Sequence, residues 1–274
     1  MLYSELFAAC LKQLKTAELS TAVEALIEKA FAIGRTQLWI KKNQPVRDAA
    51  GLRRFRRYFT RLLADEPLAY ILKEKEFFGE KITVNPAVLI PRPETELLVE
   101  KALDLIGKKK ARVLDIGAGS GSISIVLALR SRAALTALDN SRPALALLKK
   151  NIARFGLQER VKVLHADLFP KTPGFFHMLV ANPPYLSKKD WDEAPPGIRL
   201  FEPRAALVAG PTGTEALERI VAGAPCHLRP GGHLLLEIGQ GQRRAVRGFL
   251  KSAGLRETEC LRDYTGIERV IVAC

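Results

Sequence analysis

Val113-Leu114-Asp115-Ile116-Gly117-Ala118-Gly119-Ser120-Gly121 is the stretch on which the fold turns. It reads as a short buried strand running into a glycine-rich turn, and the apolar residues after it continue as a helix over about 120–130. Glycine tolerates positive φ and lets a ligand approach the bare backbone. A dinucleotide-binding loop needs its third glycine at position 122, where Ser122 stands instead. The spacing is Gly-x-Gly-x-Gly, with Asp115 two residues ahead of the first glycine. A neutral-to-cationic ligand without a phosphate suits that acidic approach better than a pyrophosphate does.

Outward from this loop, strands and helices alternate to the C-terminus. Strands are expected at Arg112–Ile116, Ala134–Leu138, Val161–His165, His177–Ala181, His233–Ile238 and Ile267–Ala273. Helices are expected over about 143–155, 214–228 and 241–253. Such alternation implies right-handed crossovers and a mainly parallel α/β sheet covered on both faces, with ligands at the carboxyl ends of its strands. Toward the N-terminus, Pro91-Arg92-Pro93 leads into a helix to about Ile106, with Glu94 and Glu96 in its first turn where negative charge complements the helix dipole. Before it, Glu76-Phe77-Phe78-Gly79 and Lys81-Ile82-Thr83-Val84 read as a hairpin turning near Gly79.

The first 70 residues carry helical signals only. Leu2, Leu6, Phe7, Cys10, Leu11 and Leu14 share one helical face, within a segment from Met1 to Cys10 read as helix. Ser20 suits the start of a second helix with Val23, Leu26, Ile27 and Ala30 as its stripe, and Gly34 suits its end. Leu52, Phe55, Phe59, Leu62 and Leu63 mark a third, with Arg53, Arg54, Arg56, Arg57 and Arg61 between them. The arginines fit either contact with RNA or an acidic protein, or a solvated helix face. Residues 1–70 hold 12 basic and 7 acidic side chains, so most of the net charge of +14 lies beyond them.

At 274 residues, 47% hydrophobic and 26% charged, the chain can build one large domain with a smaller partner. Its strongly basic balance favours an acidic partner, with nucleic acid or nucleoprotein the obvious class. Cys10, Cys226, Cys260 and Cys274 are scattered, as are His165, His177, His227 and His233, so no zinc spacing exists and a reduced, cytoplasmic setting is expected. Phe7-Ala8-Ala9-Cys10 has the look of a lipoprotein cleavage site, but Glu5 interrupts it and no basic leader precedes it. No run reaches the ~18 apolar residues of a membrane span.

Two carboxylates follow the glycine loop. Asp139 ends the second strand, 18 residues beyond Gly121, where it can accept both hydroxyl protons of an unphosphorylated ribose. Asp167 follows the third strand, placed to accept from an adenine amino group. Taken alone, either also reads as a strand-end or helix-capping aspartate, Asp167 more readily than Asp139. The ordered series Asp115, glycine loop, Asp139, Asp167 resembles the class I S-adenosylmethionine-dependent methyltransferases.

At the end of the fourth strand stands Asn182-Pro183-Pro184-Tyr185. Two prolines fix φ, remove two donors and leave a stiff corner with outward carbonyls. The Asn182 side-chain oxygen and the Pro183 carbonyl can hold both hydrogens of an amino group, and Tyr185 can stack on a flat substrate. An amide or exocyclic nitrogen is planar and attacks poorly, because its lone pair is delocalised. Acceptors on its two hydrogens steer the lone pair and stabilise positive charge developing on nitrogen, with no strong base, histidine or metal required. The tetrapeptide is similar to that of enzymes acting on DNA adenine, on ribosomal RNA guanine and on protein glutamine, so it identifies the type of nitrogen and not the substrate.

A closer resemblance lies in Glu66-Pro67-Leu68-Ala69-Tyr70-Ile71-Leu72, Glu76-Phe77-Phe78-Gly79, Val84-Asn85-Pro86 and Leu89-Ile90-Pro91-Arg92-Pro93-Glu94-Thr95-Glu96. It continues in Phe201-Glu202-Pro203-Arg204-Ala205-Ala206-Leu207, Gly231-Gly232-His233-Leu234-Leu235-Leu236-Glu237 and Arg262-Asp263-Tyr264 with Glu268-Arg269. These segments resemble the protein-glutamine methyltransferases that modify peptide chain release factors, over about residues 66–274. The resemblance implies a helical substrate-recognition domain over 1–70, a hairpin linker over 71–92, and a Rossmann-like catalytic domain of seven strands over 93–274.

It further implies S-adenosylmethionine as cofactor, with contacts at Gly117, Ala118, Gly119, Ser120, Gly121, Asp139, Asp167, Leu168 and Asn182. In the 90–96 segment, Thr95 or Glu96 is the expected cofactor contact. Leu168 stands where some relatives carry an aromatic. Substrate contacts are implied at Asn182, Pro183, Pro184 and Tyr185, of which Asn182, Pro183 and Tyr185 carry the catalysis. The implied partner is a class I release factor presenting a Gly-Gly-Gln loop, with no stable nucleic-acid partner and no membrane. A nucleic-acid base methyltransferase is the rival that the charge favours, although no separate target-recognition module is visible. A binding protein without turnover is a second rival, against which the intact tetrapeptide stands.

Overall fold

The computed structural model describes residues 2–14, 20–171 and 174–274, which form two compact units. The first comprises Met1–Lys73 together with Pro196–Phe201. Its elements are α1 (Tyr3–Leu11), α2 (Ser20–Phe31), α3 (Arg35–Lys41), α4 (Ala49–Leu63) and α5 (Leu68–Leu72). Val23, Leu26, Ile27 and Ala30 of α2 are fully buried, as their spacing requires. Phe55 and Phe59, one turn apart on α4, stack with ring centroids 5.8 Å apart and join that core. Asp48 caps α4 by accepting from the Gly51 amide at 2.8 Å, and a Cβ at Gly51 would lie 2.5 Å from the Phe31 ring.

Several expectations here are corrected. Met1 lies outside the described residues, and α1 ends at Leu11, so Leu14 follows the helix instead of extending its stripe. Leu11 and Leu63 are exposed at 37% each, on the solvent side of their helices. Ser20 stands at the start of α2 as described, and the residues immediately before it, 15–19, lie outside the described residues. Gly34 does not close α2: Ala32 takes the left-handed turn at φ 52°, and Gly34, extended at φ −80°, precedes α3. In the arginine cluster, Arg54 donates to the Ala30 carbonyl and Arg61 pairs with Glu66, while Arg53, Arg56 and Arg57 are exposed.

The second unit spans Glu74–Pro195 and Glu202–Cys274. It opens with a hairpin of β1 (Glu74–Phe77) and β2 (Glu80–Thr83), then α6 (Thr95–Ile106). Phe78 and Gly79 both take positive φ, the turn that matches the twist of two paired strands. Phe77 and Ile82 are buried in the same core as Leu98 and Val99 of α6, and Glu96 accepts from the Phe78 amide at 2.8 Å. The stretch expected as a linker over 71–92 therefore divides, its hairpin sharing the core of the larger unit.

Next come β3 (Arg112–Ile116), α7 (Ser122–Arg130), β4 (Ala134–Asp139), α8 (Arg142–Arg154), β5 (Val161–His165) and β6 (Phe176–Ala181). Then follow β7 (Leu186–Ser187), α9 (Lys188–Glu193), α10 (Pro196–Phe201), which belongs to the first unit, and, again in the second, β8 (Val208–Gly210), α11 (Glu215–Gly223), β9 (Leu228–Glu237), α12 (Arg243–Ser252), β10 (Glu257–Arg262) and β11 (Glu268–Ala273). Seven strands form one sheet in the order β10-β11-β9-β6-β3-β4-β5. From β5 to β9 neighbouring strands are parallel, and β11 enters antiparallel to both its neighbours.

Successive residues of the central strands face opposite layers. Val113, Ala137 and Val180 pack with α6, α7 and α8, whereas Leu114, Leu138 and Leu179 pack with α11 and α12. The chain leaves β3 toward β4 on one side, while β6 lies on its other side, so the carboxyl ends of β3, β4 and β6 open at a switch point. The β10 strand was not expected. Its side chains are half-buried or exposed at the sheet edge, so no apolar alternation marks it.

Candidate active site

At that switch point lies a cavity of about 330 Å³ within the larger unit. From the carboxyl end of β3 come Gly117, Ala118, Gly119 and Ser120, from β4 Asp139, from the loop after β5 Asp167 and Leu168, from β6 Asn182 and Pro184, and from α6 Thr95. Residues as far apart in the chain as Ala87 and Arg219 thus share one cavity. Gly121, Pro183 and Tyr185 do not line it.

The three loop glycines serve different needs. Gly117 and Gly119 take φ of 71° and 54°, and a Cβ at Gly117 would meet nothing within 4 Å, which leaves open space for a ligand. Gly121, at φ 85°, faces inward instead. A Cβ there would lie 2.3 Å from Leu148 on α8, so its role is packing rather than ligand contact. The loop is tied down by the Ala118 amide donating to the Leu138 carbonyl at 2.8 Å and by the Gly119 amide donating to Asp139 at 2.9 Å.

The other oxygen of Asp139 accepts from the Ser141 amide at 2.8 Å. These backbone donors orient the carboxylate and leave it further lone pairs toward the cavity. Asp167 pairs with Arg219 of α11 at 2.6 Å, both half-exposed, and Arg219 also lines the cavity. Leu168 sits beside it at φ 63°. Asp115, read from the sequence as an acidic approach to the ligand, does not line the cavity. It is buried and accepts from the Ser124 hydroxyl at 2.6 Å and the Ser124 amide at 3.1 Å. Burial pushes its carboxyl up to about 7, with nearby Asp139 adding to the rise against the Ser124 donors.

Asn182 donates from Nδ2 to the Thr95 hydroxyl at 2.9 Å, and that hydroxyl donates to Glu237 at 2.7 Å. The Asn182 Oδ1 is buried with no hydrogen-bond partner. Pro183 is buried, and burial drives the Tyr185 phenol up to about 12, with the Glu237 charge contributing. Burial also pushes Glu237 up to about 7; Glu94 adds to this, while the Thr95 and Tyr185 hydroxyls and Arg269 oppose it. Glu96, offered with Thr95 as a cofactor contact, instead pins the hairpin. Glu202, buried at 5% exposure, accepts from the Ile90 amide at 3.2 Å and pairs with Arg92. Two segments far apart in sequence are thereby joined beside the cavity. Sequence reasoning assigned no role to Glu202, Arg219 or Glu237; an acid inside the apolar run Leu234-Leu235-Leu236-Glu237 was the available signal for the last.

The sheet order and the cavity at its switch point define a class I methyltransferase fold. A solved methyltransferase from Pyrococcus furiosus shares it at a TM-score of 0.56, with 17% identity over 78% of this chain and 95% of that one. Residues 93–195 match the methyltransferase small domain, and residues 5–72 match the PrmC N-terminal domain. The release factor glutamine methyltransferase of Bordetella pertussis (strain Tohama I) is 42% identical over 90% of this chain and 93% of its own length. That of Burkholderia pseudomallei (strain K96243) is 42% identical over 90% of each. The chain belongs to the release factor glutamine methyltransferases.

The residues present fit S-adenosylmethionine. Open backbone at Gly117, the Asp139 carboxylate oriented by the Gly119 amide, and an orphaned amide oxygen at Asn182 suit a ligand with ribose hydroxyls and a cationic reacting centre.

Proposed function

We propose that this chain methylates the side-chain amide nitrogen of the glutamine in the Gly-Gly-Gln loop of class I peptide chain release factors. Its cofactor is S-adenosylmethionine, which supplies a methyl group on a sulfonium centre. Gly117, Ala118, Gly119 and Ser120 would hold the cofactor against the loop, Asp139 would take its ribose hydroxyls, and Asp167 with Leu168 would border its adenine.

One observation carries the catalytic reading: Asn182 keeps a buried acceptor oxygen with no partner. An unpaired buried acceptor costs stability, and that cost is recovered when an N–H arrives. The Asn182 oxygen takes one hydrogen of the glutamine amide and the Pro183 carbonyl takes the other. The nitrogen lone pair is thereby aimed across the cavity, and charge developing on nitrogen is met by oxygen dipoles already in place. Pro184 closes the near wall, whereas Tyr185, expected from the sequence to stack on the substrate, does not line the cavity and backs the corner beside Glu237. Its phenol stays neutral at working pH.

The N-terminal helical unit is assigned to release-factor recognition, in cytoplasm and without a required nucleic-acid partner. No helix among the described residues is long and apolar enough to cross a membrane. The test is incubation of the purified chain with methyl-labelled cofactor, offered either a class I release factor or bare RNA, followed by mass mapping of the product. Methylation is expected on the Gly-Gly-Gln glutamine. Label confined to RNA overturns the assignment.

A further inference from the structure

We propose that Thr95 and Glu237 are positioning residues that fix which end of the Asn182 amide faces the cavity. This rests on the reading of Asn182 as the acceptor for the glutamine amide. The two ends of an asparagine amide have nearly the same shape, so packing alone selects poorly between them. Only the oxygen-out orientation accepts a substrate N–H.

The selection follows from counting protons. The Thr95 hydroxyl owns one, and the Glu237 carboxylate, which can only accept when ionised, takes it at 2.7 Å. Thr95 is left as an acceptor, so Asn182 meets it through Nδ2, at 2.9 Å. Oδ1 is then left on the side of the amide away from Thr95, buried and unpartnered, on a residue that lines the cavity. A reversed amide would set two acceptors against a hydroxyl whose proton is already committed.

Three elements hold the relay. Thr95 opens α6, Glu237 ends β9, and Asn182 follows β6, whose Ala181 pairs in register with Leu236. Thr95 and Glu237 are 3% and 1% exposed, so water does not compete for either group. Glu237 is faced by Glu94 and Thr95 at the start of α6, by Tyr185 after β6 and by Arg269 on β11. When Glu237 takes a proton it can donate to Thr95, whose own proton is then free for Asn182 Oδ1, and the orientation is no longer enforced. The carboxyl sits near 7, so turnover is expected to fall as pH drops through that value.

The test uses the full chain with a class I release factor. Thr95→Val keeps the shape and removes the hydroxyl. It is expected to lower kcat roughly tenfold or more while KM for release factor and Kd for cofactor change less than about threefold. Thr95→Ser restores the hydroxyl and most of kcat, and Glu237→Gln, whose amide oxygen still accepts the Thr95 proton but does not titrate, flattens the fall of kcat below pH 7. A valine variant with wild-type kcat overturns the proposal, as does a serine variant equally slow, a Gln variant whose kcat still falls below pH 7 as in the wild type, or a valine defect confined to cofactor Kd. Asn182→Ala separates the two levels: if it is slow while Thr95→Val is fast, only the relay fails, and if it turns over normally the reading beneath it fails.

Discussion

In the half of the cavity built by the glycine loop, polar groups are bonded to the protein itself. The Gly119 and Ser141 amides hold Asp139, and Arg219 holds Asp167. In the half built by Asn182, the side chain facing the cavity keeps an oxygen that nothing satisfies. In the proposed function the first half serves as a preformed mould for the cofactor. The second stores an unmet hydrogen bond, so binding there is strongest where an N–H carries growing positive charge. Loss of a group in the first half should register in affinity or folding, and loss in the second in turnover.

Asn182→Ala should break the contrast most visibly. Single-turnover rates are expected to fall ~10²–10³-fold, as for removal of other preorganised partners of developing charge, with cofactor Kd within several-fold of wild type. A comparable loss in Kd would erase the distinction between the halves. Gly121→Ala combines a left-handed backbone with a Cβ 2.3 Å from Leu148. It should cost about 3 kcal/mol of stability, read from the denaturant midpoint. An unchanged midpoint would remove packing as the reason for the third glycine.

Asp139→Ala should weaken cofactor binding roughly tenfold to thirtyfold by calorimetry, with kcat at saturation little altered, since the loop amide also loses its acceptor. A fall in kcat with unaltered Kd would move Asp139 to the other half. Smallest is Arg219→Ala. Its pair with Asp167 is more than half exposed, so screening holds the effect below about 1 kcal/mol in cofactor affinity. A larger loss by the same titration would make Arg219 part of the mould rather than its rim.

Most of the sheet could be read directly. The strand Arg112–Ile116 falls where expected, because a central parallel strand is buried on both faces and reads as an apolar run. The edge strand Glu257–Arg262 escaped for the opposite reason, as did the short helices Lys188–Glu193 and Pro196–Phe201, which bury little and leave no periodicity. Charge misled in part. Arginines 54 and 61 of the basic helix are engaged within their own unit, so a count of cations overstated the free ones.

By itself the chain determined the alternation of elements, the glycine turn and the stiff asparagine–proline corner, since each is local and written in adjacent residues. Only tertiary structure decided which polar atoms are already spent. Asp115 and Glu96 looked available and are bonded elsewhere, while Glu237 looked like the end of a strand and stands behind the Asn182 amide through Thr95. A hydrogen bond joins groups that the fold brings together across 87 or 142 positions, and no local pattern records whether a donor's one proton has been used.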